Sequence, residues 1–231
     1  MKNNDFGKWI KFEDPYLLVV HKPSGVNVEH DGLVSIESLA KEYFSQQQNP
    51  KNTIIGIVHR IDKVTEGIVV IAKKKSILKE LQFQFEQRNV VKKYIAIVEG
   101  NFQIENNFME DHLMKDPIHY RSLVFSAPND KTKQAKTELL KLIPTANASY
   151  LELMLHTGRY HQIRAQCSHR NFPILNDVHY GAKSLEDSKW IALLANSIQF
   201  RHPVDQKIVQ FTIDYQDSHL FQKLKKLDIV F

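Results

Sequence analysis

The stretch Val58–Lys73, VHRIDKVTEGIVVIAK, restricts the fold more than any other part of the chain. Its second half holds five consecutive apolar residues, Ile68 to Ala72, rich in β-branched side chains. Such a run has no polar face, so it reads as a strand buried on both sides. Directly before it stand His59-Arg60, Asp62-Lys63 and the turn Thr65-Glu66-Gly67. A carboxylate among basic neighbours, at the mouth of a rigid strand, can be held within the tolerance that chemistry needs. Taken alone, the same charges also fit a solvated loop with surface ion pairs.

The remaining elements follow from periodicity and turn chemistry. Tyr16 to His21 reads as a strand ending in the turn Lys22-Pro23-Ser24-Gly25. After the capping residue Ser35, the residues Ile36, Leu39, Ala40, Tyr43 and Phe44 recur at helical spacing. Residues 46–52 form a polar connector, and 54–58 a strand leading into the opening stretch. Ser76 to Arg88 reads as a helix striped by Leu78, Leu81 and Phe85, with Ser76 as cap and Arg88 in the last turn. Lys93 to Gly100 is a mostly buried strand, and 138–143 with 150–156 a strand pair. Thr157 to Arg164 is a glycine turn opening a helix that ends near His169. Trp190–Phe200 and Ile208–Tyr215 are strands joined across His202-Pro203, and 220–231 is a final helix with lysines outward. Segment 101–136 carries only short apolar patches, and hairpins or a mobile flap are expected there. With no internal repeat and no regular βαβ alternation, residues 1–231 read as a single α+β domain.

Composition narrows the function. Hydrophobic residues make up 42% and charged residues 25%, as in ordinary globular proteins, and the net charge of +5 suits a polyanionic partner without demanding one. The single cysteine, Cys167, allows no internal disulfide and reads as a buried small hydrophobe. There is no secretory h-region and no apolar run near the roughly 20 residues of a membrane span, so a cytoplasmic protein is expected. Neither GxxxxGK[ST], GxGxxG nor GxSxG occurs. His156 with His161, or His112 with His119, lack any HExxH or CxxC context, so no metal site is expected. A glycosidase pair from Asp62 and Glu66 would have to face each other across a turn, which disfavours it. What remains is HRID at 59–62, K-x-Y at 92–94 and TGRYHQIR at 157–164, which together offer an aspartate, a tyrosine and an arginine to one site.

These segments resemble the RluA family of RNA pseudouridine synthases. VHRIDKVTEGIVVIAK is similar to that family's HRLDxxTSGLLLxAK, and PYLLVVHKPSGV to its LLVVNKPxG. KKYIAIVEG resembles KxYxAxVxG, and KQAKTELLKLI resembles the KxAxT strand. LHTGRYHQIRAQCSHRNFPILNDVHYG resembles TGRTHQIRxHLxxxGHPIxGDxxYG, and FRHP the late HP turn, all in family order. The resemblance implies a pseudouridine synthase fold: a mixed, mostly antiparallel central sheet flanked by helices and loops. It implies an isomerase converting uridine in tRNA or rRNA to pseudouridine, without cofactor or metal, working as a monomer.

Residue by residue, Asp62 matches the aspartate that acts on C1′ of a flipped-out uridine, as nucleophile or in support of a glycal-type route. Arg164 matches the arginine paired with it, Tyr94 the catalytic tyrosine that packs against the target base, by stacking or with a part in proton transfer, and Arg60 the arginine that helps displace the flipped nucleotide. His59, Thr65, Arg159, His161 and Gln162 fall in the same motifs and are expected to contact substrate RNA. Many relatives carry an N-terminal S4 RNA-binding domain, whereas the matching motifs begin at Pro15, which implies that the core grips RNA itself. Basic residues of 101–136 and Lys73-Lys74-Lys75 are the expected grip. A protein of the same fold that binds RNA without catalysis is the competing reading, and a glycosidase or nucleoside hydrolase a more distant one. Three positions depart from the family pattern: Glu66 for Ser, Tyr160 for Thr or Ser, and Asn171-Phe172 for Gly-His.

Overall fold

Ile68 to Ala72 is indeed a strand buried on both faces, near the middle of an eleven-stranded sheet. The structure, a computed structural model, describes residues 6–29, 34–46, 54–185 and 187–229. In chain order the elements are α1 (Phe6–Trp9), β1 (Ile10–Glu13), β2 (Leu17–Lys22), α2 (Ile36–Ser45), β3 (Gly56–Ile57) and β4 (Glu66–Ala72). Next come α3 (Lys75–Glu86), β5 (Val91–Glu99), β6 (Phe108–Asp116), β7 (Arg121–Phe125), β8 (Lys133–Pro144) and β9 (Ala148–Leu155). Last are α4 (Gln162–His169), β10 (Leu193–Arg201), β11 (Ile208–Thr212) and α5 (His219–Lys226). The strand order is β1-β2-β4-β10-β5-β9-β8-β6-β7, with β3 also on β4 and β11 also on β10. Only β4 with β10 is a parallel pair, so the sheet is mixed and mostly antiparallel as expected.

Alternation along β2 and β4 divides the core between the two faces. Leu17, Val19, Ile68, Val70 and Ala72 join Ile77 and Leu81 of α3 and Leu220 and Leu224 of α5. Leu18, Val20, Val69 and Ile71 instead join Ile36, Leu39, Ala40 and Phe44 of α2, with Phe6 of α1. Each such side chain contributes about 1.5–3 kcal/mol on burial. Cys167 is buried in the first cluster, and burial pushes its thiol up to about 12. No helix among the described residues is long and apolar enough to cross a membrane.

Several local expectations need correction. The cap of α3 is Lys74 with no side-chain bond, not Ser76, because Ser76 lies already inside the first turn. Arg88 sits beyond the helix at φ 59, in the left-handed region. The expected strand 54–58 shrinks to the two residues of β3, and β10 begins at Leu193 rather than Trp190. Segment 101–136 holds the hairpin alternative rather than the flap: β6 and β7 pair antiparallel, and with the start of β8 they extend the sheet. Ser35 does cap α2, accepting from Ser38 N at 3.1 Å, while most of the 46–52 connector lies outside the described residues. Of the lysine run, Lys73 bonds Glu13 at 2.8 Å and Lys74 lies 4.5 Å over the Tyr16 ring, so both serve the fold.

Two of the three departures acquire a structural reason. Asn171 takes φ 65 just past α4, where a chain reversing direction favours glycine and asparagine is the next best residue. Phe172 packs edge-on against Phe102 at 5.2 Å. Glu66 is only 2% exposed and turns away from the Asp62 side of the turn. Its Oε1 lies 2.6 Å from His21 Nε2 and accepts His219 N–H at 3.0 Å, and its Oε2 accepts Leu220 N–H at 2.8 Å. An ionised carboxylate only accepts, so the His21 proton resides on Nε2. Glu66 therefore caps the start of α5, beside the favourable end of its dipole, together with Ser218, whose Oγ accepts from Phe221 N at 3.0 Å.

Two outcomes follow. Gly67 has φ +146, and a Cβ there would lie 2.5 Å from both Cβ and O of Ala195 at the parallel β4–β10 crossing. Gly67→Ala should cost at least about 1–3 kcal/mol, read as a lower urea midpoint at unchanged m. Hydrogen bonds from His21 and His219 hold Glu66 down at about 2 against an ordinary 4.5, outweighing its burial. Its contribution, roughly 3 kcal/mol, is present above pH 4.5 and lost as pH falls towards 2. Glu66→Gln should lose it at pH 6, with the gap to wild type closing on acidification. His219, raised by the same contact, is the solvent-exposed partner, so the linkage is assigned to Glu66.

Candidate active site

A cavity of about 890 Å³ opens where the loop 59–65 meets the turn before α4. Its wall takes Asp62, Val64 and Thr65 from the loop, Lys92 and Tyr94 from β5, Leu155 from the end of β9 and Leu193 from β10. Gly158 to Arg164 close one side, and Lys115, Tyr120 and His179 another.

The loop is held from beneath by a buried lysine. Lys22 Nζ donates to the carbonyls of Pro23 (2.9 Å), Val26 (2.9 Å) and Lys63 (3.1 Å), and Gly25 N–H bonds Lys63 O at 2.8 Å. Burial pushes Lys22 down to about 7, against the pull of Asp62 and Glu66. The carbonyl of Asp62 accepts Thr65 N–H at 3.0 Å, closing the turn.

Arg164 fixes the side chain of Asp62. The turn around Gly158 reverses the chain, and His161 at φ 50 starts α4, whose first turn carries Arg164 inward. Nη1 of Arg164 donates to Asp62 Oδ2 at 3.2 Å, while Nε and Nη2 grip Asp177 at 2.7 and 2.9 Å. The guanidinium also lies 4.9 Å over the Tyr180 ring. Both carboxylates raise the Arg164 pKa, outweighing its burial, so it stays charged. Burial raises Asp62 above the ordinary 3.8, and Arg164, Lys22 and Arg60 oppose that rise.

The other sequence-derived site residues divide by what they touch. Tyr94 lines the cavity, and burial with the Asp62 charge drives its phenol further up, so it stays protonated. Thr65 is buried, and its Oγ1 has no hydrogen-bond partner within the described structure. His161 Nε2 lies 3.7 Å from Asp62 Oδ2, and its Nδ1 lies 3.1 Å from the Tyr180 hydroxyl. That hydroxyl also accepts Ser122 N–H at 2.7 Å. Burial and Arg164 take His161 down to about 3, leaving it neutral. Arg60 reaches solvent at the rim and pairs with Glu29 at 2.7 Å. Arg159 donates to Gln134 O at 2.9 Å, near Lys92 and Arg88.

His59 and Gln162 line the same cavity and are also bonded within its wall. His59 Nε2 accepts Val70 N–H at 3.1 Å, its ring stacks on Phe85 at 5.0 Å, and burial lowers it to about 3. Gln162 accepts from Thr157 (2.8 Å) and Arg159 N (3.0 Å) and donates to Lys136 O (3.2 Å) and Thr137 (2.8 Å). Both brace the wall with every ring nitrogen or amide bond just named made inside the protein. Lys22, Asp177 and Tyr180 were not singled out by sequence, although KPSG and NDVHYG contain them. Metal-type donors gather at His21, Glu66 and His219, all within 4.8 Å, but the Glu66 oxygens are already engaged by α5.

Comparison with known proteins agrees with this geometry. Residues 16–169 match the family model described as RNA pseudouridylate synthase. A Vibrio cholerae protein named ribosomal large subunit pseudouridine synthase C is 33% identical over 94% of this chain and 69% of its own length. A Borreliella burgdorferi protein named ribosomal large subunit pseudouridine synthase D is 37% identical over 74% of this chain and 54% of its own. The solved structure of human RNA pseudouridylate synthase domain containing 4 superposes with a TM-score of 0.78 at 21% identity, over 96% of this chain and 95% of that one. The fold is thus the pseudouridine synthase fold, and the chain belongs to the RNA pseudouridylate synthase family.

Proposed function

We propose that this protein isomerises uridine to pseudouridine in the RNA of the large ribosomal subunit, with Asp62 as the nucleophile. The observation that carries the reading is the Asp62 carboxylate, held by Arg164 at 3.2 Å on the wall of a nucleotide-sized cavity. Ribosomal RNA is favoured over tRNA because the relatives quoted above are named for the large ribosomal subunit. The groups that the chemistry calls for come from one chain, so a monomer is the acting unit, and a cytoplasmic setting suits its free, buried Cys167.

Reaching C1′ of a stacked nucleotide requires extrusion of the base, at a cost of a few kcal/mol. Arg60 at the rim is placed to fill the vacated position, and Tyr94 offers the extruded uracil an aromatic face. Arg164 holds Oδ2, so Oδ1 is the oxygen sent to C1′. As the C1′–O bond forms, the N1–C1′ bond breaks and its electron pair leaves with the uracil. The Thr65 hydroxyl, lacking a partner, can hydrogen-bond the ring during this step. After the uracil rotates, C5 bonds C1′ and the carboxylate departs with its electrons. One proton leaves C5 and one reaches N1, so the product is an isomer and no co-reactant is consumed. Tyr94, held protonated, acts by contact and not as the base.

Asp62→Asn should abolish pseudouridine formation on unmodified large-subunit RNA while leaving RNA binding within about threefold, since the phosphate contacts remain. Detection is by mass spectrometry of nuclease digests after carbodiimide derivatisation, which adds mass to pseudouridine and leaves its isomer uridine unchanged. Wild-type protein that binds this RNA yet forms no pseudouridine would mean the non-catalytic reading is right, and release of free uracil would mean a hydrolase. The ionised form of Asp62 is the active one, and its pKa is raised above 3.8, so kcat/KM should fall as pH drops through a value above that. Arg164→Met removes the largest influence opposing the rise and should move this acid limb to higher pH. A limb unmoved in a variant that circular dichroism shows to be folded would rule out Arg164 as the stabiliser of the carboxylate.

A further inference from the structure

β6 and β7 are joined by residues 117–120, and the tip of this hairpin stands at the mouth of the Asp62 cavity. Tyr120 lines that cavity while remaining 70% exposed, and its neighbour Ile118 is 78% exposed. Aromatic and branched apolar side chains facing water this fully ask for an explanation beyond folding.

The tip is rigid. Asp116 Oδ1 accepts from Ile118 N at 3.0 Å and His119 N at 3.2 Å, closing the turn. Tyr120 sits at φ 51, a left-handed conformation that side chains other than glycine rarely adopt. Its carbonyl is held at that angle by the hydroxyl of Tyr160 and by Nε2 of His179, each at 3.2 Å. Tyr160 in turn stacks on His161 at 3.8 Å, with Lys115 4.8 Å over its ring. Tyr160 is the residue that stands where the family pattern has Thr or Ser, and a smaller side chain could not reach the hairpin. The substitution thus ties an exposed aromatic ring to the wall that contains Asp62.

Resting on the RNA reading above, we propose that Tyr120 is a stacking platform for an unpaired base adjacent to the target uridine. Its position fits this occupant. It borders the space that admits the uridine, and Lys115 on the same wall brings positive charge suited to the strand's phosphates, while the nearby Arg121 pairs with Asp116 at 3.9 Å. Every base has a π-face, so stacking tolerates any sequence and selects instead for a neighbour that is free of its duplex. The substrate is then a loop or bulge in which at least one nucleotide beside the uridine is already unstacked, and not a uridine within continuous duplex.

The test compares wild type, Tyr120→Ala and Tyr120→Phe on unmodified large-subunit ribosomal RNA transcript. Tyr120→Ala should raise KM about tenfold, the effect of losing one base–aromatic stack, with kcat within about twofold. Tyr120→Phe, which keeps the ring, should restore the wild-type KM. Wild type that forms no pseudouridine overturns the underlying reading and not this one alone. Active wild type with Tyr120→Ala unchanged overturns the platform, and so does Tyr120→Phe as impaired as Tyr120→Ala, which would mean a hydroxyl contact. A second measurement is independent of any variant's folding: 2-aminopurine placed beside the mapped uridine should be quenched on binding wild type. Flanking 2-aminopurine unaffected on both sides overturns the proposal, as would an equal KM for the target presented in continuous duplex.

Discussion

The site depends on one buried guanidinium shared by two carboxylates. Arg164 grips Asp177 through two hydrogen bonds and offers its remaining edge to Asp62. The bidentate pair fixes the plane of the fork, so the third bond can form in only one direction. Burying such charges is expensive, and removing one partner of a buried pair typically costs about 3–5 kcal/mol because the other is left uncompensated. The arrangement therefore ties three segments together: the loop 59–65, the first turn of α4, and the stretch leading to the 3-10 turn Val178–Tyr180. Lys22 completes the constraint from the other side by holding the backbone of the same loop. Asp62 is thus located both by its side chain and by its main chain.

Asp62 and Glu66 are four residues apart and have opposite tasks, set entirely by surroundings. Asp62 faces the cavity with its pKa raised by burial, and one cation neutralises one of its oxygens. Glu66 faces α5, where backbone N–H groups and two histidines drive its pKa down. Between them lies the turn, and just after Glu66 comes Gly67, where β4 and β10 approach too closely for any side chain. A carboxylate saturated with donors is a structural group, whereas one with an uncommitted oxygen beside open space is available to chemistry.

Apolar periodicity made most of the sheet and helices legible, because β4, β9 and α2 bury side chains in patterns that the sequence displays directly. Buried polar residues were not legible. Segment 101–136 shows only short apolar patches because part of what anchors it is polar: Asp111 is buried against Gln166 and Arg170. Lys22 and Asp177 fail for a related reason: the partners that make them part of the site, Lys63 and Arg164, lie 41 and 13 residues away, and no sequence pattern signals that a charge will be enclosed. His59 and Gln162 show the converse. Motif position placed them at the substrate, and the structure puts both on the cavity wall while also bonding them to Val70, Thr137, Thr157 and the backbone. A motif shows which residues a site needs, but not which of them reach the ligand and which hold the others in place.

The departures from the family pattern make the same point from the other direction. Glu66, Asn171 and Tyr160 all depart from the pattern beside the site, and each bonds or shapes main chain. Glu66 receives the amides that begin α5, Asn171 supplies a left-handed residue after α4, and Tyr160 holds a carbonyl at the tip of the β6–β7 hairpin. None of them alters Asp62, Arg164 or Tyr94, so the reacting groups stay as they were while the scaffold around them is re-pinned. Of the three, only Tyr160 fixes something at the mouth of the cavity, and a rigid ring at that mouth acts on the RNA before the uridine reaches the carboxylate. On the proposal made for Tyr120, variation at position 160 would change which RNA shapes are admitted without changing the bond that is broken, because the site's chemistry and its access are set by different residues.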